Sequence, residues 1–553
     1  MDRLIGFSIR PPMALARLGG SETPLESFEW VAGRGARGGI QTLIRPATSF
    51  HVHSNGEIEP YLPKKIRFKD NGAIRPVAPF FELWVTSQSS GDGTVTQRPL
   101  TLDLLAQYHL SLANLQFRVT AGNRKAERRT GSASCAFIGR VDVRGDDHEI
   151  KELLAVSPAT SGQEPLVYCD HPVPLGSFRV LRPTAAHDCV GAEEVDLSVV
   201  RLRYTPARGK VYGPPNAICG PASPLQPGQA LAPRSQEGRI HEIVRPENRI
   251  LNPNTPWSQF RMMTGAWLDT LPWDSYDGAN VGEDRSWGCV DDTCDILIEA
   301  TLVVGMRRLD ATARIFTGPP DYAPDRRPFY SVRDDLEDRD DAGPGDPPVS
   351  KEEIVDLFHR VLEFASMLNL DAARSRAITE NIRTLTRAGI STLPPSEQKP
   401  RTDFETMTLE DVPYVDKVPP LLFPDQPSQF SDSVANDQLP YTNILPFVHG
   451  PLSDEVVLLD FLRRRGDYIR QLMRPPFPIW RELPERAPSN SRPDRRDPRL
   501  LRDKLHDMRM PPYMRDSNFY SLSLTRRQYL RLMSFIAALE KQDAAGTEVR
   551  GEG

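Results

Sequence analysis

The sequence predicts an α+β protein, with a β-rich N-terminal region of sandwich-like sheets over residues 1–332 and a loop-rich, partly helical region over 350–540. Three observations predict it. Apolar residues alternate with period two in the first part and recur at helical spacing in the second. The 52 prolines in 553 residues each remove a backbone donor, which favours loops and edge strands over long helices. At 39% hydrophobic and 26% charged residues, the composition is that of a globular chain with a sizeable core.

The elements follow in order. Phe81, Leu83 and Val85 alternate within FFELWV, and Leu115, Phe117 and Val119 within LQFRV. Each set falls on one face of a strand. Asp70-Asn71-Gly72 signals a turn between Ile66-Arg67-Phe68 and the next strand. Residues 206–238, rich in Pro, Gly, Ser and Ala, read as a long excursion. ILIEATLVVGM after Asp295 reads as a buried strand. Residues 333–349, RDDLEDRDDAGPGDPPV, read as an acidic linker.

Ser350 and Glu353 form a capping-box pattern ahead of Ile354, Leu357, Phe358, Val361 and Leu362 at helical spacing. A second helix is predicted over 370–387 and prolines interrupt 394–440. A further helix begins near Ser453, with Val456, Leu459, Leu462 and Ile469 inward. Residues 474–515 are rich in Pro and Arg. Thr525 and Gln528 form a second capping box, with Leu530, Met533, Ile536 and Ala537 inward. Residues 541–553 read as a flexible tail.

Composition also bounds function. A formal net charge of −6 is too mild to single out nucleic acid or a membrane surface as partner. The N-terminus has no apolar signal core, and no window approaches about eighteen uninterrupted apolar residues. Six cysteines are too sparse for a disulfide framework. A cytoplasmic location is the expectation.

Five constellations could carry chemistry. Asp291, Asp292 and Asp295 spell DDxxD, which holds Mg²⁺ when a helix makes the three converge; the strand pattern that follows argues for a structural turn. Cys169-Asp170-His171 and His187-Asp188-Cys189 mirror each other. Two strands could aim them at one Zn²⁺, but the spacing departs from common zinc patterns, so two surface turns are the favoured reading and no metal is assigned. His51 and His53 share a strand face but are too few for a metal site. Cys289 and Cys294 are either a redox pair or, as favoured, buried free thiols. The basic stretch with Arg495, Arg496, Arg499, Arg502 and Lys504 has acids interleaved and no run of aromatics, so it reads as a solvated or partner-facing surface rather than a nucleic-acid groove. Gly33-Arg34-Gly35-Ala36-Arg37-Gly38 fits GxGxxG in letters but lacks the strand-to-helix context of a phosphate cradle; Walker A, GxSxG and HExxH patterns are missing.

Several segments, in order, resemble the lysine ε-oxidase and glycine oxidase family, whose members carry cysteine tryptophylquinone. They are PPMALARLGGSETPLESF from Pro11, FKDNGAIRPVAPFFELW from Phe68, SLANLQFRV from Ser111 and VDLSVVRLRYTPARGKVYG from Val195, in which Gly209-Lys210-Val211 stands for the family's Gly-Arg-Leu. SWGCVDDTCDILIEATL from Ser286, TGPPDYAP from Thr317, MPPYMRD from Met510 and LSLTRRQYLRL from Leu522 complete the series. The resemblance implies a shared fold and, in the family, peroxide-producing oxidative deamination of amino acids or amines.

The departures bear on chemistry. In the family the quinone is a tryptophan cross-linked to a cysteine, with an aspartate four residues before that cysteine, all after the segment that 510–536 resembles. Here the positions four before the six cysteines hold Gly131, Pro165, Ala185, Pro215, Arg285 and Val290. No cysteine follows Cys294 and no tryptophan follows Trp480. Catalytic and cofactor-binding residues are therefore not assigned. The resemblance implies a cofactor-lacking scaffold or partner subunit that associates with itself or with a protein bearing the quinone. The alternatives are an amine or amino-acid oxidoreductase, an enzyme with changed chemistry on the same fold, and a purely structural or binding protein.

Overall fold

The structure, a computed structural model, describes residues 3–34, 40–190, 193–215, 244–253, 255, 289–321, 323–329, 331–340, 349–366, 455–464, 466 and 524–550. The chain divides into two compact units. Residues 1–29 and 46–322 form the first; residues 30–45 and 323–553 form the second.

The described strands are β1 (Arg3–Arg10), β2 (Met13–Arg17), β3 (Phe28–Arg34), β4 (Ile40–Pro46), β5 (Ser49–Val52), β6 (Ile58–Tyr61), β7 (Lys69–Asp70) and β8 (Ala73–Ile74). They continue with β9 (Phe80–Gln88), β10 (Val95–Pro99), β11 (Leu115–Asn123), β12 (Phe137–Arg144), β13 (Lys151–Ala155), β14 (Val173–Val180) and β15 (His187–Val190). The last are β16 (Glu193–Asp196), β17 (Arg201–Thr205), β18 (Val211–Tyr212), β19 (Val290–Asp291), β20 (Cys294–Val304) and β21 (Arg307–Gly318). The helices are α1 (Leu102–Gln107), α2 (Lys125–Thr130), α3 (Val332–Asp340), α4 (Lys351–Ser366), α5 (Glu455–Arg464) and α6 (Arg526–Arg550). The class is α+β, with the strands gathered in the N-terminal region.

Two sheets build the first unit. One runs β1-β9-β17-β14-β13, with β10 also paired to β9; the other runs β12-β11-β20-β21-β2. All pairs are antiparallel except β2 with β21. One hydrophobic core lies between the sheets, and alternation fills it from both sides. Phe81, Leu83 and Val85 of β9 point in, as do Leu115, Phe117 and Val119 of β11. The Phe117 and Phe178 rings meet across the core at 6.1 Å. Backbone bonds between Ile138 and Val156 join the two sheets at one corner.

The Asp70-Asn71-Gly72 turn forms as predicted, joining β7 to β8, with positive φ at Asn71 (47°) and Gly72 (86°), as a tight hairpin requires. Strand β20 differs from its reading. It is buried on one face only: Ile296, Ile298 and Ala300 face the core while Asp295 and Glu299 are exposed. A continuous apolar run suggested cover on both faces, but an antiparallel sheet leaves one face to solvent.

In the second unit Ser350 caps α4 through Glu353 N–H at 3.1 Å. Ile354, Leu357, Phe358 and Val361 are buried as predicted. Thr42 donates to Glu363 from its backbone N–H at 2.5 Å and from its hydroxyl at 2.5 Å. The beginning of the acidic stretch is helix α3, capped by Ser331 through Asp334. Its acids are used: Arg527 of α6 donates to Asp338 from its backbone at 2.6 Å and pairs with Glu337 at 3.1 Å. Arg531 pairs with Glu353 at 2.5 Å.

Two helix faces differ in part from the sequence expectation. In α5 Leu462 is buried as predicted and Leu459 is half-buried, but Val456 is 72% exposed and Leu458 is buried. In α6 Ile536 is buried as predicted and Met533 and Ala537 are half-buried, but Leu530 is 50% exposed and Leu532 is buried instead. Both errors came from steps of three. Successive steps of three drift about 60° around a helix, while steps of four drift about 40° the other way. Helix α6 also continues through Arg550, past the point at which the sequence reading began a tail. The predictions over 370–387, 394–440 and 474–515, and for Ile469, lie outside the described residues.

The Thr525 capping box is complete: Gln528 N–H donates to the Thr525 hydroxyl at 3.2 Å and Thr525 N–H donates to the Gln528 side-chain Oε1 at 3.1 Å. Thr525→Ala is expected to destabilise by about 1 kcal/mol and Thr525→Ser, which keeps the capping hydroxyl, to be near neutral. Chemical denaturation of both variants checks this.

Candidate functional site

The first unit holds a polar node at the Asp291–Asp292 turn between β19 and β20. Register sets it there. Pairing of β11 with β20 brings Asn123 beside the turn. Asn123 Nδ2 donates to the carbonyls of Asp291 and Thr293, at 3.0 Å each. The Asp291 carboxylate accepts from Lys125 Nζ at 2.8 Å and from the Thr293 hydroxyl at 2.6 Å. It is thus held by a cation and a turn. Asp295 points out to solvent, so the DDxxD residues do not converge.

Asp292 is the unusual member. It is only 1% exposed. Its Oδ2 accepts from the backbone N–H of Lys210 at 2.9 Å, while its Oδ1 is buried without a hydrogen-bond partner. Burial, aided by the Asp291 charge and opposed by the bond from Lys210 N–H, pushes its pKa up to about 7. An ionised carboxylate is costly there, so the neutral acid is favoured.

A second cluster adjoins it. The Tyr204 hydroxyl donates to the Leu175 carbonyl at 2.7 Å, and the Thr317 hydroxyl donates to Tyr204 Oη at 3.3 Å. Cys294 Sγ lies 3.5 Å from Tyr204 Oη. Burial raises the Cys294 thiol to about 11, so it is not a thiolate nucleophile at neutral pH. Cys289 is buried with Val211 and Val244, and neither cysteine forms a disulfide, in line with the favoured reading of buried thiols.

Beside the node opens a cleft of about 480 Å³, lined among others by Asn123, Lys125, Arg128, Thr293, Arg314 and Phe316. Asp292 does not line it. Thr293, Cys294 and Thr317 do, so the node forms part of the cleft's wall. Its residues can position strands and give the cleft a cationic border.

The remaining sequence candidates separate. Cys169 and His171 are exposed in one turn; His187 and Cys189 are exposed on β15. His187 lies 3.4 Å from Glu194 and His171 3.8 Å from Asp170. Among the described residues no three His, Cys, Asp or Glu side chains gather as a metal site. His51 and His53 stack edge to face at 4.9 Å, and His53 lies 3.4 Å from Glu59. The Arg495–Lys504 stretch lies outside the described residues. Sequence reasoning missed Asn123, Tyr204 and Lys210, because no local spacing marks them; only strand register brings them to the turn.

Parts of the segments from Pro11, Phe68, Val195, Ser286 and Thr317 meet in this unit, whereas the segment from Leu522 belongs to the second unit and the one from Met510 lies outside the described residues. Arg17 and Val77 exchange backbone bonds, and Leu18 N–H donates to Gly318 O at 3.0 Å. Lys210 binds Asp292 and Thr317 binds Tyr204. No protein-family model matches the chain, and no curated protein matches it. No helix among the described residues is long and apolar enough to cross a membrane.

Proposed function

We propose that this chain is a scaffold or partner subunit, related to the quinone-dependent amino-acid oxidases, that works in a complex with a chain bearing cysteine tryptophylquinone. One observation carries the reading. Five segments far apart in sequence, those from Pro11, Phe68, Val195, Ser286 and Thr317, resemble that family in order and are joined by backbone and side-chain hydrogen bonds around Asp292 and Tyr204. A shared framework demands such convergence; fold alone grants no activity.

The chemistry of the node supports a structural role. Amine oxidation needs an electrophilic carbonyl that accepts the substrate amine and its electrons. Cys294 is a protonated buried thiol, Asp291 is neutralised by Lys125, and Asp292 sits away from the cleft. None supplies a two-electron sink. An enzyme with changed chemistry is the second reading. It is favoured by Asp292 alone, whose pKa of about 7 suits proton transfer.

The experiment is direct. The purified full chain, given amines and amino acids, is expected to release no hydrogen peroxide, and its intact mass to match 62.0 kDa. Light scattering is expected to show self-association, or purification from the native host to yield a complex with a quinone-bearing chain. Peroxide from the single chain, or a tryptophan-to-cysteine cross-link within it, overturns the reading. So does a strictly monomeric particle that captures no such chain.

A further inference from the structure

The first unit also holds a cation with no counter-charge among the described residues. Arg203 lies on the face of β17 away from the core, between Leu202 and Tyr204, which point inward. Its guanidinium carbon sits 4.8 Å from the centre of the Phe80 ring. Its Nε is buried and has no hydrogen-bond partner. No ion pair or side-chain hydrogen bond to Arg203 exists among the described residues.

The neighbours make this worse. Arg179 stands directly opposite Arg203 in the β14–β17 ladder. Like charges in that position repel. The Arg179 donors are already spent on backbone carbonyls: Nε on His148 at 2.6 Å, Nη1 on His53 at 3.0 Å, and Nη2 on Ser54. The next arginine along β17, Arg201, does have a carboxylate, Glu82, at 2.9 Å. The charges that act on Arg203 are Arg179 and the Tyr61 phenol; no carboxylate is among them. Burial and the Arg179 charge pull its pKa down to about 10. Tyr61, at the end of β6, is 39% exposed, so the neighbourhood of Arg203 opens to solvent on that side.

An unpaired, desolvated guanidinium is costly, and stacking on one ring offsets only part of that cost. The group that matches a guanidinium is a planar or tetrahedral oxyanion, which takes two parallel N–H bonds. We propose that Arg203, with Phe80 beneath it and Tyr61 beside it, is a binding site for a small oxyanion, a carboxylate or a phosphate, that completes the charge balance of this sheet face. The proposal stands independently of the oxidase relationship.

Isothermal titration of the full chain tests it, with inorganic phosphate and, separately, malonate, at fixed ionic strength. Saturable binding of at least one probe is expected. The probe that binds better identifies the oxyanion. Arg203→Met keeps the apolar stem on Phe80 and is expected to weaken binding by about tenfold or more. Arg118→Met, at an exposed arginine paired with Asp142, leaves binding unchanged. A purely structural Arg203 predicts something else: the Met variant then melts lower by the same amount with and without phosphate, and that result overturns the site. Should Arg203→Met fail to fold, Arg203→Lys decides, because it keeps the charge and loses the paired N–H geometry. Unchanged affinity in either folded variant, or no saturable binding of either probe, also overturns it.

Discussion

Asp292→Asn is expected to flatten the pH dependence of stability and to stabilise the protein at pH 8 relative to pH 5. The sign follows from the direction of the displacement. The folded carboxyl titrates at about 7 against an ordinary value of 3.8. Between those values the folded state holds one proton more than the unfolded state, so stability falls as pH rises. The contribution is full below the ordinary value and gone above the folded one. Over the interval from pH 5 to pH 8 the loss is roughly 3 kcal/mol. Asparagine cannot ionise and does not suffer it. Its amide oxygen can accept from Lys210 N–H, leaving the NH₂ where Oδ1 is now orphaned, at a cost of about 1–3 kcal/mol that is the same at both pH values. Denaturation free energies of wild type and variant at the two pH values give the answer. A wild-type to variant difference that changes by less than about 1 kcal/mol between them contradicts the buried, neutral carboxyl.

The same residue separates the two functional readings. If Asp292 only holds the β19–β20 turn against Lys210, its replacement moves stability and leaves association with a partner intact. A proton-transfer role instead requires substrate to reach it, and the cleft is lined by Thr293 and Cys294 rather than by Asp292. The burial that raises its pKa also keeps it from the cleft.

Much of the framework was legible because strands announce themselves locally. Alternation in FFELWV and LQFRV named core residues that are buried in β9 and β11. Asn71-Gly72 named a turn, and two capping boxes named helix starts. Helix faces were less legible, since Val456 and Leu530 were chosen from steps of three that leave the buried stripe. The division of the chain was legible only in part: residues 30–45 belong with the second unit, and pairing across hundreds of residues leaves no local trace. The node was half legible. The acidic triplet stood out, but the partners that define its chemistry, Asn123, Lys210 and Tyr204, arrive through register. Arg203 was invisible for a related reason. An arginine in a strand looks solvated until its cross-strand neighbour proves to be another arginine.

Gly176→Ala is expected to cost at least about 3 kcal/mol, because two independent penalties meet at one atom. Strand β14 is irregular between Pro174 and Ser177: its pairing with β13 shifts there, and Gly176 adopts φ of +102°. Side chains rarely adopt that backbone. Space is also lacking. A Cβ would lie 2.4 Å from Thr205 O and 2.8 Å from Tyr204 Oη. Those atoms cannot step aside cheaply, since Thr205 is paired in the ladder with Ser177 and Tyr204 is fully buried. The irregularity also aims the Leu175 carbonyl at Tyr204 and Cys294, so the substitution disturbs the bonds that tie β14 to β17 and β20. Gly131→Ala is the matched control. Gly131 has φ of +70° with nothing within 4 Å of a Cβ, so it carries the backbone penalty alone, about 1 kcal/mol. Urea titration of both variants is expected to show the Gly176 midpoint falling well below that of Gly131. Equal losses would mean that close approach at Tyr204 contributes nothing, and the node would lose its standing as a tightly packed joint.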